Sequence, residues 1–421
     1  MSNRVRCPNS VWGTPEKGAS FQSPPKSLWF PISPAVGEHG LRPVHCHPYF
    51  RVERYREVAA TGFARGFFLS ECFLPLAQTT MHLFELTRAL VDIDSTTGQE
   101  KSVADYLFAH LSRLESKYNA RLDRLAAEPD RDNLFISFGE PHVTLSTHMD
   151  TVPPFFPSRE DATHIHGRGS CDAKGIIAAM IAAAELLLAA GTRNFALLFV
   201  VGEERSSIGA ITAAASPRGS RFLINGEPTE NHLALGSKGA LRYELISRGK
   251  LAHSAYPHLG HSAIHSLLDA LQEIRAFPLP TDSVLGPSTL NVGTISGGRA
   301  PNVIADEARS EIMFRLVGDP ASTRAAVTRI AAACKIEARE SLFTPAIHLS
   351  PLLDLPTTIV AFTTDIPSFD GSWGQPFLIG PGSIHVAHTA EERIPKSELT
   401  SAVDIYARMV RQLLTTGAPP A

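Results

Sequence analysis

The sequence predicts an α/β protein in which a largely parallel sheet, covered by helices, is interrupted by a second domain of ferredoxin-like order. Three observations predict it. Short β-rich runs, "NLFISF", "HVTLSTH", "ALLFVVGEE" and "RFLINGEP", alternate with helical stretches such as "AAMIAAAELLLAAG", an order that suits parallel strands joined by helical crossovers. Between about Gly236 and Ser341 the order changes to β-α-β-β-α-β, that of a ferredoxin-like unit. At 421 residues the chain also exceeds the length at which one core stops growing.

Residues 1–80 precede the first regular pattern. The stretch "SFQSPPKSLWFPISPAVGEHG" is rich in proline, glycine and serine and has neither helical nor strand period, so this region is expected to be a disordered extension or a mis-assigned start. From Met81, Leu83, Leu86 and Leu90 recur on one helical face. After a turn through "DSTTG", a second helix carries Val103, Leu107, Leu111 and Leu114. The parallel sheet follows through residue 235. In the insertion, "ALRYELIS", "STLNVGTISGG", "EARSEIMFRLV" and "KIEARE" are expected strands, and "GHSAIHSLLDALQEIRA" and "STRAAVTRIAAAC" expected helices. The sheet is expected to resume through "TIVAFTTD" and "PFLIGPG", and the helix "SELTSAVDIYARMVRQLL" closes the chain. The division is thus 1–80, 81–235, 236–341 and 342–421.

The whole-chain properties narrow the function. A formal charge of −3 gives no basic field for nucleic acid and no basic run for an anionic membrane. A small-molecule substrate is expected. The five cysteines, Cys7, Cys46, Cys72, Cys171 and Cys334, show no C-x-x-C pairing and suit a reducing compartment. No apolar run reaches the roughly 18 residues of a membrane span; "GFARGFFLSECFLPL" is broken by Arg65 and Glu71 and lies far from Met1 for a secretory signal. The expectation is a soluble, cytoplasmic protein.

The chemistry lies at the strand ends. In "STHMDTVPP", His148 and Asp150 are two residues apart beyond a strand, so Asp150 reaches the His148 imidazole and orients it. Taken singly, Asp172 in "GRGSCDAKG" reads as a helix cap, "GEE" (Gly202 to Glu204) as a solvated pair and "GEP" (Gly226 to Pro228) as a turn. Together, His148, Asp172, Glu204, Glu227 and His388 in "AHTAEE" form a mixed nitrogen and oxygen set able to hold two divalent metals with one carboxylate bridging. Imidazole and carboxylate without thiolate suit zinc, with cobalt or manganese as alternatives, in an open catalytic site. Cys171 lacks a paired base, Lys174 reads as structural, and His164, His166, His258 and His261 read as solvated or packing histidines.

In order, "HMDTVP", "GRGSCDAKG", "GEE", "GEPT", "AHSAYPHLG", "NVI" and "GPGSIHVAHTAEE" resemble the co-catalytic zinc metallopeptidase/deacylase family of acetylornithine deacetylase, succinyl-diaminopimelate desuccinylase, aminoacylase and glutamate carboxypeptidase. The match runs from about Met81 to Leu414 and leaves residues 1–80 outside it. It implies a catalytic domain in two parts, 81–235 and 342–421, with 236–341 as an inserted lid and dimerisation domain. It implies that His148 and Glu227 hold one metal, that Glu204 and His388 hold the other, that Asp172 bridges them, and that Asp150 orients His148. Glu203 corresponds to the general base; on an extended segment it would face the water while Glu204, its neighbour, ligates. His253 in "AHSAYP" corresponds to a carbonyl-oxygen donor reaching a site across a homodimer. Two metals would lower the pKa of a shared water and polarise the scissile carbonyl.

For the substrate, Arg315 in "IMFRLV" is the expected partner of an α-carboxylate, since a guanidinium holds both oxygens, and Asn302 in "APNVIAD" is expected beside it as a neutral donor. "GEPT" and "AHTAEE" lean toward hydrolysis of an N-acetylated amino acid. A dipeptidase or carboxypeptidase, or a general aminoacylase, is the alternative within the family. The competing class is a catalytically silent binding protein, which a missing ligand or base would signal; neither is missing.

Overall fold

In a computed structural model, residues 83–416 are described; the expected N-terminal extension and three of the cysteines, Cys7, Cys46 and Cys72, lie outside them. Helix α1 (residues 83–91) forms where Leu83, Leu86 and Leu90 share a face, and all three are buried. Helix α2 (Lys101–Tyr118) buries Val103, Leu107, Leu111 and Leu114 in the same way and ends at Asn119, whose left-handed backbone (φ 52) turns the chain.

Strands β1 (Arg121–Glu128), β2 (Arg131–Phe138), β3 (Val143–His148), β4 (Phe195–Val200) and β5 (Phe222–Asn225) form one sheet with a late strand, Gln375–Leu378, in the order β1-β2-β4-β3-β5 and then Gln375–Leu378. The four strands from β4 outward are parallel, and β1 and β2 are antiparallel to their neighbours. The largely parallel sheet is therefore as expected. Strand β1 was not: "RLDRLAAE" has a polar, half-exposed edge pattern too weak to stand out.

Strand β4 explains the all-apolar runs. Leu197 and Phe199 pack into the larger core, with α1, α2 and helices α3 (Lys174–Ala189) and Lys396–Thr415, while Ala196, Leu198 and Val200 pack with Ala210, Ala213 and Trp373 on the other face. A strand covered on both sides has no polar alternation. Helix α3 is buried almost all round, which fits its "GIIAAMIAAAE" composition. At its first turn a Cβ on Gly175 would run into the carbonyl oxygen of Ser170, so only glycine lets the helix start so close to the preceding turn.

The second sheet is built from β6 (Gly239–Arg248), β7 (Thr289–Gly297), β8 (Glu307–Leu316) and β9 (Ile336–Thr344), ordered β7-β8-β6-β9 and antiparallel throughout. Helices α4 (Ala263–Ala276) and α5 (Ala321–Cys334) cover one face through Leu267, Ile274, Val327 and Ile330. This is the expected ferredoxin-like order. One expectation is corrected. Thr357–Val360, from "TIVAFTTD", does not rejoin the main sheet but runs parallel to Leu233–Ser237 in a separate three-stranded sheet, and only Gln375–Leu378 returns, beside β5. Position β5's outer edge accepts a single strand, and periodicity alone does not say which of two short apolar runs takes it. Among the described residues no helix is long and apolar enough to cross a membrane.

Candidate metal centre

Parallel order places the site. Strands β4, β3 and β5 are adjacent and parallel, so their carboxyl ends share one edge. His148 closes β3, Glu203 and Glu204 follow β4, and Glu227 follows β5. Asp172 immediately precedes α3, and His388 lies on the loop between Gln375–Leu378 and Lys396–Thr415.

The five expected ligands fall into two groups that share Asp172. Ligand atoms of His148, Asp172 and Glu227 lie within 4.8 Å of one another, and so do those of Asp172, Glu204 and His388. The two oxygens of Asp172 face different histidines: Oδ1 is 2.9 Å from His148 Nε2, and Oδ2 is 3.3 Å from His388 Nε2. His388 Nε2 is also 3.0 Å from Glu204 Oε1. To bring its ring there, His388 adopts a left-handed backbone (φ 63), a conformation that costs a non-glycine residue about 1 kcal/mol or more.

Asp150 does more than orient a histidine. The His148 Nδ1–H lies 3.0 Å from the Asp150 main-chain carbonyl and 3.5 Å from its carboxylate, so the main chain is the nearer partner that leaves Nε2 for a metal. The carboxylate instead accepts the Thr97 hydroxyl (2.9 Å) and the backbone N–H groups of Glu203 (3.1 Å) and Glu204 (3.2 Å). Glu203 and Glu204 therefore sit in a hydrogen-bonded turn, and the extended segment expected there is corrected. Their side chains still part company: Glu204 joins a ligand group and Glu203 does not.

The electrostatics fit a cation. Burial, then the neighbouring Glu227 charge, pushes the Glu203 carboxyl well up. Burial also raises Glu227 well above, and Glu204 above, the usual carboxylate range. Burial would raise Asp172 too, but His148 and His388 outweigh it and hold it low. Asp172 and Glu204 push His388 up to about 10. Glu227 Oε1 is buried with no hydrogen-bond partner among the described residues. A buried carboxylate oxygen without a donor is costly, and a divalent ion within reach removes that cost. The donor set, two imidazoles with three carboxylates, suits zinc, cobalt or manganese. Cys171 belongs to neither group; its thiol points at Ser383 O and Glu392, and burial pushes it well up.

Residues not singled out in the sequence analysis support this cluster. Glu392 Oε1 accepts the backbone N–H groups of Gly169 (2.9 Å), Asp172 (3.3 Å) and Cys171 (3.4 Å), while Oε2 takes Arg168 Nη1 at 2.5 Å. Arg168 Nε also donates to Pro154 O. Lys174, expected to be structural, is buried and donates to Ile93 O. Arg168 and Glu392 stand inside quoted motifs, but their pairing spans 224 residues and has no local mark.

The expected substrate residues separate. Arg315 lines a cleft of about 700 Å³ with Pro228 and Thr229, next to Glu227, and with Ile384 and His385, just before His388. No carboxylate among the described residues pairs with it, and burial lowers its pKa. Asn302 is not beside it, which corrects that expectation. Arg315 pairs with Ala240 at one end of β8, whereas Glu307 and Arg248 pair at the other end, toward Asn302. Eight strand residues put those ends about 27 Å apart. There Asn302 accepts the Ser254 N–H (3.0 Å), and exposed His253 pairs with Val303. Asn302 therefore keeps company with His253, and neither joins the metal groups.

A mixed α/β fold with two carboxylate and imidazole groups sharing an aspartate at the strand ends suits metal-dependent hydrolysis. The chain belongs to peptidase family M20/M25/M40, which matches residues 144–412. It is 38% identical over 341 residues to a peptidase M20 domain-containing protein of Schizosaccharomyces pombe, across 78% of this chain and 84% of that protein. It is 34% identical over 365 residues to a probable carboxypeptidase of Aspergillus terreus, across 77% and 84%. Its fold is that of the dipeptidase Dug1p from Saccharomyces cerevisiae (TM-score 0.65, 14% identity, 82% of this chain and 98% of that one). The M20 metallo-carboxypeptidase Sso-CP2 from Sulfolobus solfataricus is similar (TM-score 0.64, 15% identity, 79% and 99%). The chain is thus a hydrolase of a metal-dependent family.

Glu392→Ala strands the Arg168 guanidinium and frees three backbone N–H groups. The expected loss is about 3–5 kcal/mol in denaturant unfolding; a loss under about 1 kcal/mol would show that the pair contributes little.

Proposed function

We propose that this chain is a two-metal amide hydrolase of the carboxypeptidase type, releasing a C-terminal amino acid with a free α-carboxylate from a small acyl or peptidyl group. The observation that carries this is Arg315: a half-buried guanidinium with no acid partner among the described residues, in a cleft lined also by residues flanking Glu227 and His388. Such a group favours a carboxylate ligand, held through two hydrogen bonds. N-acetylated amino acids and dipeptides both place an α-carboxylate one residue from the scissile amide. The carboxypeptidase names of the relatives favour the peptide, which moves the reading from the deacetylase expected first to its alternative.

His148, Glu227, Glu204 and His388, with Asp172 between them, would hold two divalent ions, zinc being the metal their donors suit. Bound there, the ions would lower the pKa of water and polarise a carbonyl. Glu203 takes the proton from water and returns it to the leaving amine. His253 supplies the hydrogen bond to the developing oxyanion: its Nδ1 accepts the Ala255 N–H at 3.1 Å, which puts the ring proton on Nε2. With His253 and Asn302 at the end of the second sheet remote from Arg315, they would serve the site of a second copy in a homodimer.

Glu203→Gln should keep near-full metal content, measured by elemental analysis, while turnover falls by about a hundredfold or more; Glu204→Gln should lose metal. Equal metal loss in both would sink this division of roles.

Arg315→Lys should raise KM about tenfold with kcat changed less, because lysine cannot form the forked pair. Amidating the substrate carboxylate should then harm the wild type far more than the variant; equal harm would rule the contact out.

Mixing inactive His253→Ala and Glu203→Gln chains should restore part of the activity. Its absence in a verified mixed dimer would confine His253 to its own chain.

A further inference from the structure

The loop that carries Glu203 and Glu204 is closed at its neck by a residue of β2. Asn133 is fully buried, and its amide spans both ends of the loop: Oδ1 accepts the Val201 N–H at 3.1 Å, and Nδ2 donates to Gly209 O at 2.8 Å. The Gly209 N–H in turn donates to Val201 O at 3.0 Å. A side chain that bridges the neck in this way must offer a donor and an acceptor together, as an amide does. The neck is tight, since a Cβ on Gly209 would lie 2.5 Å from Val201 O and 2.6 Å from Asn133 Oδ1. The helix that leaves it, Ile208–Ala214, has no side-chain cap, its N-cap Ser207 being left-handed (φ 52); Val201 and Asn133 fasten its first turn instead. Alternate residues of a strand share a face, and the neighbours of Asn133 on that face meet the same region. Arg131, gripped by Glu100 at 2.8 and 2.5 Å, lies where a Cβ on Gly202 would meet its Nη2 at 2.8 Å. Phe135 packs on Trp373, which donates to Ala213 O at 2.9 Å. Inside the loop, the Ser206 and Ser207 N–H groups donate to Gly202 O at 3.0 and 2.8 Å. The loop is thus a closed turn held at two places, by Asp150 at Glu203 and Glu204 and by Asn133 at the neck.

We infer that Asn133 is a positioning residue for the reaction: it sets where the loop presents Glu203 and Glu204, without touching substrate or joining either ligand group. The inference rests on the two-metal hydrolase reading, in which Glu203 moves the proton and Glu204 ligates, and adds a residue of β2 to it. Arg315 stands on β8 of the second sheet and shares no hydrogen bond with the loop among the described residues, so a shifted loop impairs the chemical step and leaves the hold on the substrate carboxylate in place. A displacement of about 1 Å at a proton-transferring group is enough to slow a reaction by orders of magnitude.

Two variants break the clasp from opposite sides. Asn133→Ala removes both side-chain bonds, and Gly209→Ala forces the neck apart; both are compared with the wild type as full-length, metal-loaded protein on Ala-Leu and N-acetyl-Ala-Leu, with turnover counted per folded chain. Each should lower kcat about tenfold or more with KM within about twofold. The double variant should fall no more than about twofold below the weaker single one, because the same clasp is broken in all three. Amide hydrogen exchange, which needs no turnover, should quicken about tenfold or more across 201–209 and stay within about twofold in β8 and in residues 227–232. A kcat per folded chain within about twofold of the wild type in both single variants overturns the inference, and so does exchange that quickens equally in all three segments. If the wild type hydrolyses neither peptide, the carboxypeptidase reading falls, and the exchange measurement still decides the clasp. Where Asn133→Ala fails to fold, Gly209→Ala carries the comparison.

Discussion

The carboxylate of Glu392 is the point on which the metal centre depends. It gathers the backbone N–H groups of the 169–172 turn and pairs with Arg168, which in turn holds Pro154 after the His148 and Asp150 segment. Three parts of the chain that meet only in the fold are thereby fixed to one buried charge pair. Glu392 is four residues from His388, so the same group that positions Asp172 also tethers the loop carrying the exposed ligand. Burial and the Asp172 charge push Glu392 up to about 7, with Arg168 opposing; the pair is held in place against its own desolvation cost. A buried pair of this sort is weak evidence for net stability and stronger evidence for a fixed arrangement.

Asp150 does for the opposite side what Glu392 does for this one. It accepts Thr97, Glu203 and Glu204, so the "DSTTG" turn, the end of β3 and the turn after β4 converge on it. Each hub is an acid that accepts backbone N–H groups together with a side-chain donor, and neither belongs to the two candidate ligand groups. The candidate ligands stand between them, around Asp172.

The sheet and its strand-end ligands were legible because each depends on local pattern. Leu83, Leu86 and Leu90 state a helix by spacing, β4 states a doubly covered strand by its unbroken apolar run, and a histidine or acid just past each strand states where the site opens. What was not legible depends on distance or on conformation. Arg168 and Glu392 meet across the chain. The turn at Glu203 and Glu204 is set by Asp150, not by its own residues, so an extended reading was reasonable and wrong. Asn302 looks near Arg315 in sequence, yet strand β8 runs between them and carries them to opposite ends of the sheet. The choice between Thr357–Val360 and Gln375–Leu378 for the edge of the main sheet follows from what β5 can accept, which no single segment encodes.

The candidate ligands come from five stretches spread between His148 and His388, and neither group can be made from one stretch. An unfolded or half-folded chain has no chelating geometry to offer. An ion held by these residues would be bound by the finished topology in preference to the unfolded chain, and free metal would then act on the folding equilibrium as a ligand of the native state. Such an ion would in that sense be the last structural element to be added, and its concentration in the surroundings would become one of the quantities that sets how much folded protein there is.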